Sequence, residues 1–121
     1  MKAAQLVAPG TFEIVDIAEP VPVDGQAKIR VEALSVCGSD IHGTFNANLP
    51  EEEYPLAPSI GCHEIAGTVI ESKTDAIKEG QRAIILPTRG LGGLAEFLVQ
   101  TPDRILPVPD WGPLDEWVMC Q

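Results

Sequence analysis

Apolar and polar residues alternate in short bursts along the 121-residue chain, and turn-forming residues separate the bursts. Ala3 to Ala8 reads as a first strand, ended by Pro9-Gly10. Phe12 to Ile17 alternates apolar with acidic residues, the pattern of a half-buried strand. Pro20-Val21-Pro22 and Asp24-Gly25 then break the chain. The clearest alternation runs from Ala27 to Val36. It puts Ala27, Ile29, Val31 and Ala33 on one face and Lys28, Arg30 and Glu32 on the other, and leads straight into Cys37. Residues 43–59 carry Pro50, Pro55 and Pro58 and read as a loop, long enough to imply function or mobility. Further strands are predicted near 63–71, 82–86, 94–100 and 104–108. Pro109-Asp110-Trp111-Gly112-Pro113 opens a helix from Leu114 that the last residue cuts off after two turns. Short strands joined by turns predict a mainly β fold, a compact β-barrel with short helices including a truncated C-terminal helix.

Composition agrees with that class. Hydrophobic residues make up 45% and charged residues 21%, so a core is feasible without staples and an ordered fold is expected. Eleven Gly and eleven Pro suit many turns. The length corresponds to about one domain, residues 1–121. The formal net charge of −10, with eight scattered basic residues, argues against nucleic acid and anionic membrane as partners. Glu51-Glu52-Glu53 reads as an exposed, solubilising loop. Three cysteines exclude a full disulfide framework, and the N-terminus lacks the apolar run of a signal peptide. A reducing, cytoplasmic location is therefore expected. Trp111, Leu114, Trp117 and Met119 on the final helix would expose apolar surface, so self-association into a homo-oligomer is expected.

The chemistry concentrates in two motifs. Both histidines lie in them: Cys37-Gly38-Ser39-Asp40-Ile41-His42 and His63-Glu64-Ile65-Ala66-Gly67. Cys62 abuts the second. Thiolate, imidazole and carboxylate are the side chains that bind zinc. Neighbours on a strand point to opposite faces, so if His63 faces a metal, Glu64 faces away unless a bulge or metal movement brings it in. Cys37 and His63 are thus the first candidate ligands, with Glu64 a conditional one. Ser39 and His42 have the chemistry to pass an alcohol proton to solvent. Asp40 could hold the distal nitrogen of His63 and fix its tautomer. Each motif alone has a plain structural reading: a cysteine at a strand end packs as a small hydrophobe, and a His-Glu pair lies on the surface.

These two motifs, followed by Gly80-Gln81-Arg82 and Gly93-Leu94-Ala95-Glu96-Phe97, resemble in order the N-terminal GroES-like domain of zinc-dependent medium-chain alcohol dehydrogenases. The likeness extends from Lys2-Ala3-Ala4 to Arg104-Ile105-Leu106-Pro107-Val108-Pro109. The resemblance implies a GroES-like β-barrel. It implies a catalytic zinc held by Cys37 and His63 with Glu64 nearby, a proton relay through Ser39 and His42, and support of His63 by Asp40. The family's fourth ligand aligns with Gln121, and a one-residue slip selects Cys120 instead. The implied activity is oxidation of an alcohol, polyol or sugar with NAD or NADP as hydride acceptor.

The sequence departs from the family pattern in places. Cys62 stands where relatives have Gly, and reads as a small packed residue. Pro87-Thr88-Arg89-Gly90-Leu91-Gly92 contains no cysteine, so one zinc and no structural zinc is expected. Gly90-Leu91-Gly92-Gly93-Leu94-Ala95 matches a dinucleotide fingerprint, but a strand-like run follows it rather than a helix. The chain stops where a Rossmann domain would begin, so the isolated chain is expected to bind zinc without oxidising alcohols. Two other classes stay open: a stand-alone metal-binding or redox module, and a structural GroES-like module without hydride transfer.

Overall fold

The computed structural model describes residues 1–47, 49–88 and 92–120. The fold is mainly β, with seven strands and short helical turns among the described residues. Strands β1 (Lys2–Ala8) and β2 (Thr11–Asp16) form an antiparallel ribbon around the turn at Pro9-Gly10. Strands β3 (Ala27–Ser35), β4 (Glu64–Ser72), β5 (Arg82–Ile85), β6 (Phe97–Gln100) and β7 (Ile105–Pro107) form a second sheet in the order β6-β3-β4-β5-β7. Ala95 bridges to Ala3 and joins the two sheets.

Alternation on β3 and its neighbours builds the core. Ala27, Ile29, Ile65, Val69, Ile77, Ala83, Ile85, Leu98 and Ile105 pack into one cluster, with Val31 against it. Each fully buried Ile or Leu side chain contributes about 1.5–3 kcal/mol. Gly67 of the second motif sits where a Cβ would overlap the Arg30 carbonyl, so the β3–β4 register requires glycine there.

Three readings of the pattern are corrected. Lys28 lies on the polar face but is only 6% exposed. Its ammonium pairs with Glu19 and stands 5.0 Å from the Phe97 ring centroid, partners from outside β3 that cover that face. Strand β2 is more exposed than a half-buried strand: Ile14 is 69% exposed, since β2 is the outer member of a two-stranded ribbon. The 43–59 stretch is partly helical, with a π-helical turn at Ile41–Phe45 and a 3-10 turn at Glu51–Glu53. Glu51, Glu52 and Glu53 are exposed.

After β7, Arg82 donates to the Pro109 and Gly112 carbonyls at 3.2 and 2.6 Å and fixes the turn. Helix α2 (Leu114–Trp117) follows, then a 3-10 turn at Val118–Cys120; both lie against β3 and β4, and Val118 of the turn is buried. Trp111 and Met119 remain exposed. No helix among the described residues is long and apolar enough to cross a membrane.

Candidate metal centre

Antiparallel pairing of β3 with β4 explains how residues 26 apart meet. Ser35 pairs with Glu64 at the end of the ladder. Cys37 lies two residues beyond that pair and His63 one residue before it, so both project from the same end of the sheet. The Cys37 Sγ and His63 Nε2 atoms are 3.6 Å apart. The Ser39 hydroxyl lies 2.8 Å from the same Sγ.

Asp40 closes the one-turn helix α1 (Gly38–Asp40) and turns its side chain inward, where it is buried. Its Oδ2 accepts the Cys37 N–H at 3.0 Å, and its Oδ1 accepts the Cys62 N–H at 2.9 Å. That same Oδ1 stands 3.4 Å from His63 Nδ1. One carboxylate therefore ties together both motif-bearing segments and faces the back of the imidazole. Burial opposes ionisation of Asp40. Hydrogen bonds from the Cys37 N–H and thiol and the Cys62 N–H, with His63 nearby, outweigh it and hold its pKa below the usual carboxylate value.

The potential ligand atoms of Cys37, Asp40 and His63 all lie within 4.8 Å of one another. Among the described residues, Glu64 is outside that cluster; it is the first residue of β4 and half-buried. His42 is exposed on the π-helical turn, also outside the cluster. Cys120 is exposed, with its thiol directed to the Glu116 carbonyl at 4.0 Å. Gln121 lies outside the described residues, as do positions 89–91 of the cysteine-free connection and of the Gly90–Ala95 motif. Strand β6 follows that motif where a nucleotide fingerprint needs a helix. Cys62 is a buried small residue, its thiol pushed up to about 11 by burial and by Asp40, Cys37 and Glu64 around it. Sequence reasoning missed its backbone role as donor to Asp40, which no side-chain pattern signals.

The donor set fits zinc. Zn–S of ~2.3 Å and Zn–N of ~2.05 Å at a tetrahedral angle place S and N about 3.6 Å apart, the separation that Cys37 and His63 show. Asp40 spends its oxygens on two backbone N–H groups, which makes it a support for the imidazole and leaves a thiol and a ring nitrogen as the outward donors.

Comparison with known proteins agrees with the fold and the family. The family model of the alcohol dehydrogenase GroES-like domain matches residues 23–110. An uncharacterized zinc-type alcohol dehydrogenase-like protein of Escherichia coli, YdjJ, is 37% identical over 87 residues, covering 69% of this chain and 25% of its own length. D-arabitol-phosphate dehydrogenase of Enterococcus avium is 34% identical over 111 residues, covering 88% of this chain and 30% of its own. The crystal structure of S. aureus TarJ in complex with NADPH superposes with a TM-score of 0.74 at 24% identity, over 93% of this chain and 35% of that one. The chain thus spans about a quarter to a third of the length of these proteins. The chain belongs to the alcohol dehydrogenase family, matching its GroES-like domain over residues 23–110.

Proposed function

We propose that residues 1–121 are the zinc-binding catalytic domain of a nicotinamide-dependent alcohol, polyol or sugar dehydrogenase. The observation that carries this reading is the 3.6 Å separation of Cys37 Sγ and His63 Nε2, with Asp40 behind the ring. Cys37 and His63 would hold one zinc. Glu64 would be a conditional ligand, and Cys120 or Gln121 would offer the fourth. Bound zinc supplies Lewis acidity that makes an alcohol proton labile near neutral pH. Ser39, already beside the thiol, would take that proton, and exposed His42 would release it to solvent. Asp40 would keep the His63 Nδ1 proton facing itself, leaving Nε2 free to ligate. NAD or NADP would accept the hydride. An alcohol or sugar-phosphate substrate is in keeping with what the Enterococcus relative acts on.

The zinc-loaded chain of residues 1–121, given NAD or NADP and polyols, should form no NADH or NADPH. Exchanging residues 1–121 for the matching segment of the Escherichia coli relative should give a chimaera that oxidises an alcohol or polyol and stops when Cys37→Ser is introduced. A folded, zinc-loaded chimaera that turns over no alcohol, polyol or sugar, or reduction of NAD(P) by residues 1–121 alone, would refute the proposal.

A further inference from the structure

The Gly92-Gly93-Leu94-Ala95 run lies directly behind the segment that delivers His63. The Gly93 N–H donates to the carbonyl oxygens of Gly61 at 3.0 Å and Cys62 at 2.8 Å. From the other side, the Cys62 N–H donates to Asp40. The residue before His63 is therefore held at both of its peptide groups. The path it follows is a demanding one. Ser59 and Cys62 adopt left-handed φ values of 70° and 56°, and Gly61 has φ 110°. Non-glycine residues persist in that region when the surroundings over-determine them.

The surroundings here are backbone together with the buried Ile65 side chain. A Cβ on Gly92 would overlap the carbonyl oxygens of Ser59 and Gly61 and lie 2.7 Å from the Gly61 nitrogen. A Cβ on Gly93 would lie 2.6 and 2.9 Å from Cγ1 and Cδ1 of Ile65 and 3.0 Å from the Cys62 oxygen. Both glycines are buried. The run is itself anchored, with the Leu94 carbonyl accepting the Ala4 N–H at 2.8 Å and Ala95 bridging to Ala3. The 56–59 segment hangs on the same strand, through the Leu56 N–H to Leu6 and the Ser59 N–H to Ala4. Strand β1 thus holds both partners of the contact.

We propose that Gly92 and Gly93 are positioning residues of the metal centre. Their bare backbone is a platform that sets the Ser59–Cys62 path and with it the reach of the His63 imidazole toward Cys37. A glycine run that resembles a phosphate cradle serves here to seat a ligand histidine. The inference rests on the zinc reading of Cys37 and His63.

The test measures zinc affinity by competition with a chromophoric chelator. Gly92→Ala and Gly93→Ala should each weaken zinc by about 10–100-fold, the range found when groups that orient a ligand are disturbed. In a His63→Ala background the same substitutions should change affinity by less than about twofold, because the ligand they position is gone. Folded glycine variants with wild-type affinity would overturn the proposal. So would an equal loss with and without His63, which marks a general structural effect. Should the substitutions prevent folding, the unsubstituted chain answers through hydrogen exchange: zinc should slow the Gly93 amide by at least about tenfold, and an unchanged rate would overturn the platform. Failure of the zinc reading shows separately, as wild-type affinity that Cys37→Ser and His63→Ala leave intact, and that outcome overturns the platform with it.

Discussion

Replacing Asp40 should destabilise the chain well before any metal is considered. Asp40 is 3% exposed and accepts two backbone N–H groups, from Cys37 at 3.0 Å and Cys62 at 2.9 Å. In Asp40→Ala both donors lose their acceptor, the Cys62 N–H in a buried setting and the Cys37 N–H in a part-buried one. Each buried, unsatisfied donor costs about 1–3 kcal/mol. Removing a buried carboxylate recovers part of its desolvation cost, so the net loss should be about 3 kcal/mol. Against a total stability of about 5–15 kcal/mol that is a large fraction. At a urea slope of about 1.5 kcal/mol per M, the unfolding midpoint should fall by about 2 M. Asp40→Asn keeps one acceptor but turns an amide N–H₂ toward the other donor, and should lose about half as much. Equilibrium urea unfolding in the presence of a chelator, followed by circular dichroism, reads these shifts. An Asp40→Ala midpoint within about 0.3 M of wild type would refute the clamp.

Glu19→Gln should destabilise more than Lys28→Met, because it strands a buried ammonium whereas Met fills the space beside Phe97. The Glu19 carboxyl is held below its usual 4.5 chiefly by its hydrogen bond from Lys28. Its stabilisation is therefore complete above 4.5 and lost as pH falls through the depressed folded value, so Glu19→Gln should flatten stability across that acid window in thermal melts. A thiol reagent should modify Cys37 and Cys120 in the native chain and spare Cys62, which is 1% exposed, and zinc should then protect Cys37; fast labelling of Cys62 would show that the segment before His63 opens. Arg82→Ala should release the Pro109–Gly112 turn at a cost of about 1 kcal/mol and change the fluorescence of Trp111 and Trp117, whose rings lie 5.1 Å apart. Unchanged emission would show that the turn needs no anchor.

Local pattern carried much of this structure. The alternation Ala27, Ile29, Val31 is a direct consequence of one buried face, and it survives as the centre of the core. The two motifs were legible because both histidines fall in them, and antiparallel pairing of β3 with β4 brings their ends together. What was not legible depends on distant partners. The burial of Lys28 requires Glu19 and Phe97, which alternation on β3 cannot reveal. The exposure of β2 follows from its place in the sheet order, not from its composition. Helical turns between Ile41 and Glu53 lie among prolines that read as loop. The grip on Cys62 is made by main-chain atoms, so its side chain gives no sign of it.

Zinc titration of residues 1–121 tests the metal centre most directly. The wild-type chain should bind one equivalent, and cobalt in its place should show the thiolate-to-metal absorption of a cysteine ligand. Cys37→Ser should diminish that absorption, leaving at most what a Cys120 ligand would give, and Cys37→Ser and His63→Ala should each weaken zinc by about 100-fold or more while the fold persists. Stoichiometric binding that neither substitution diminishes would contradict the assignment of Cys37 and His63 as the ligands.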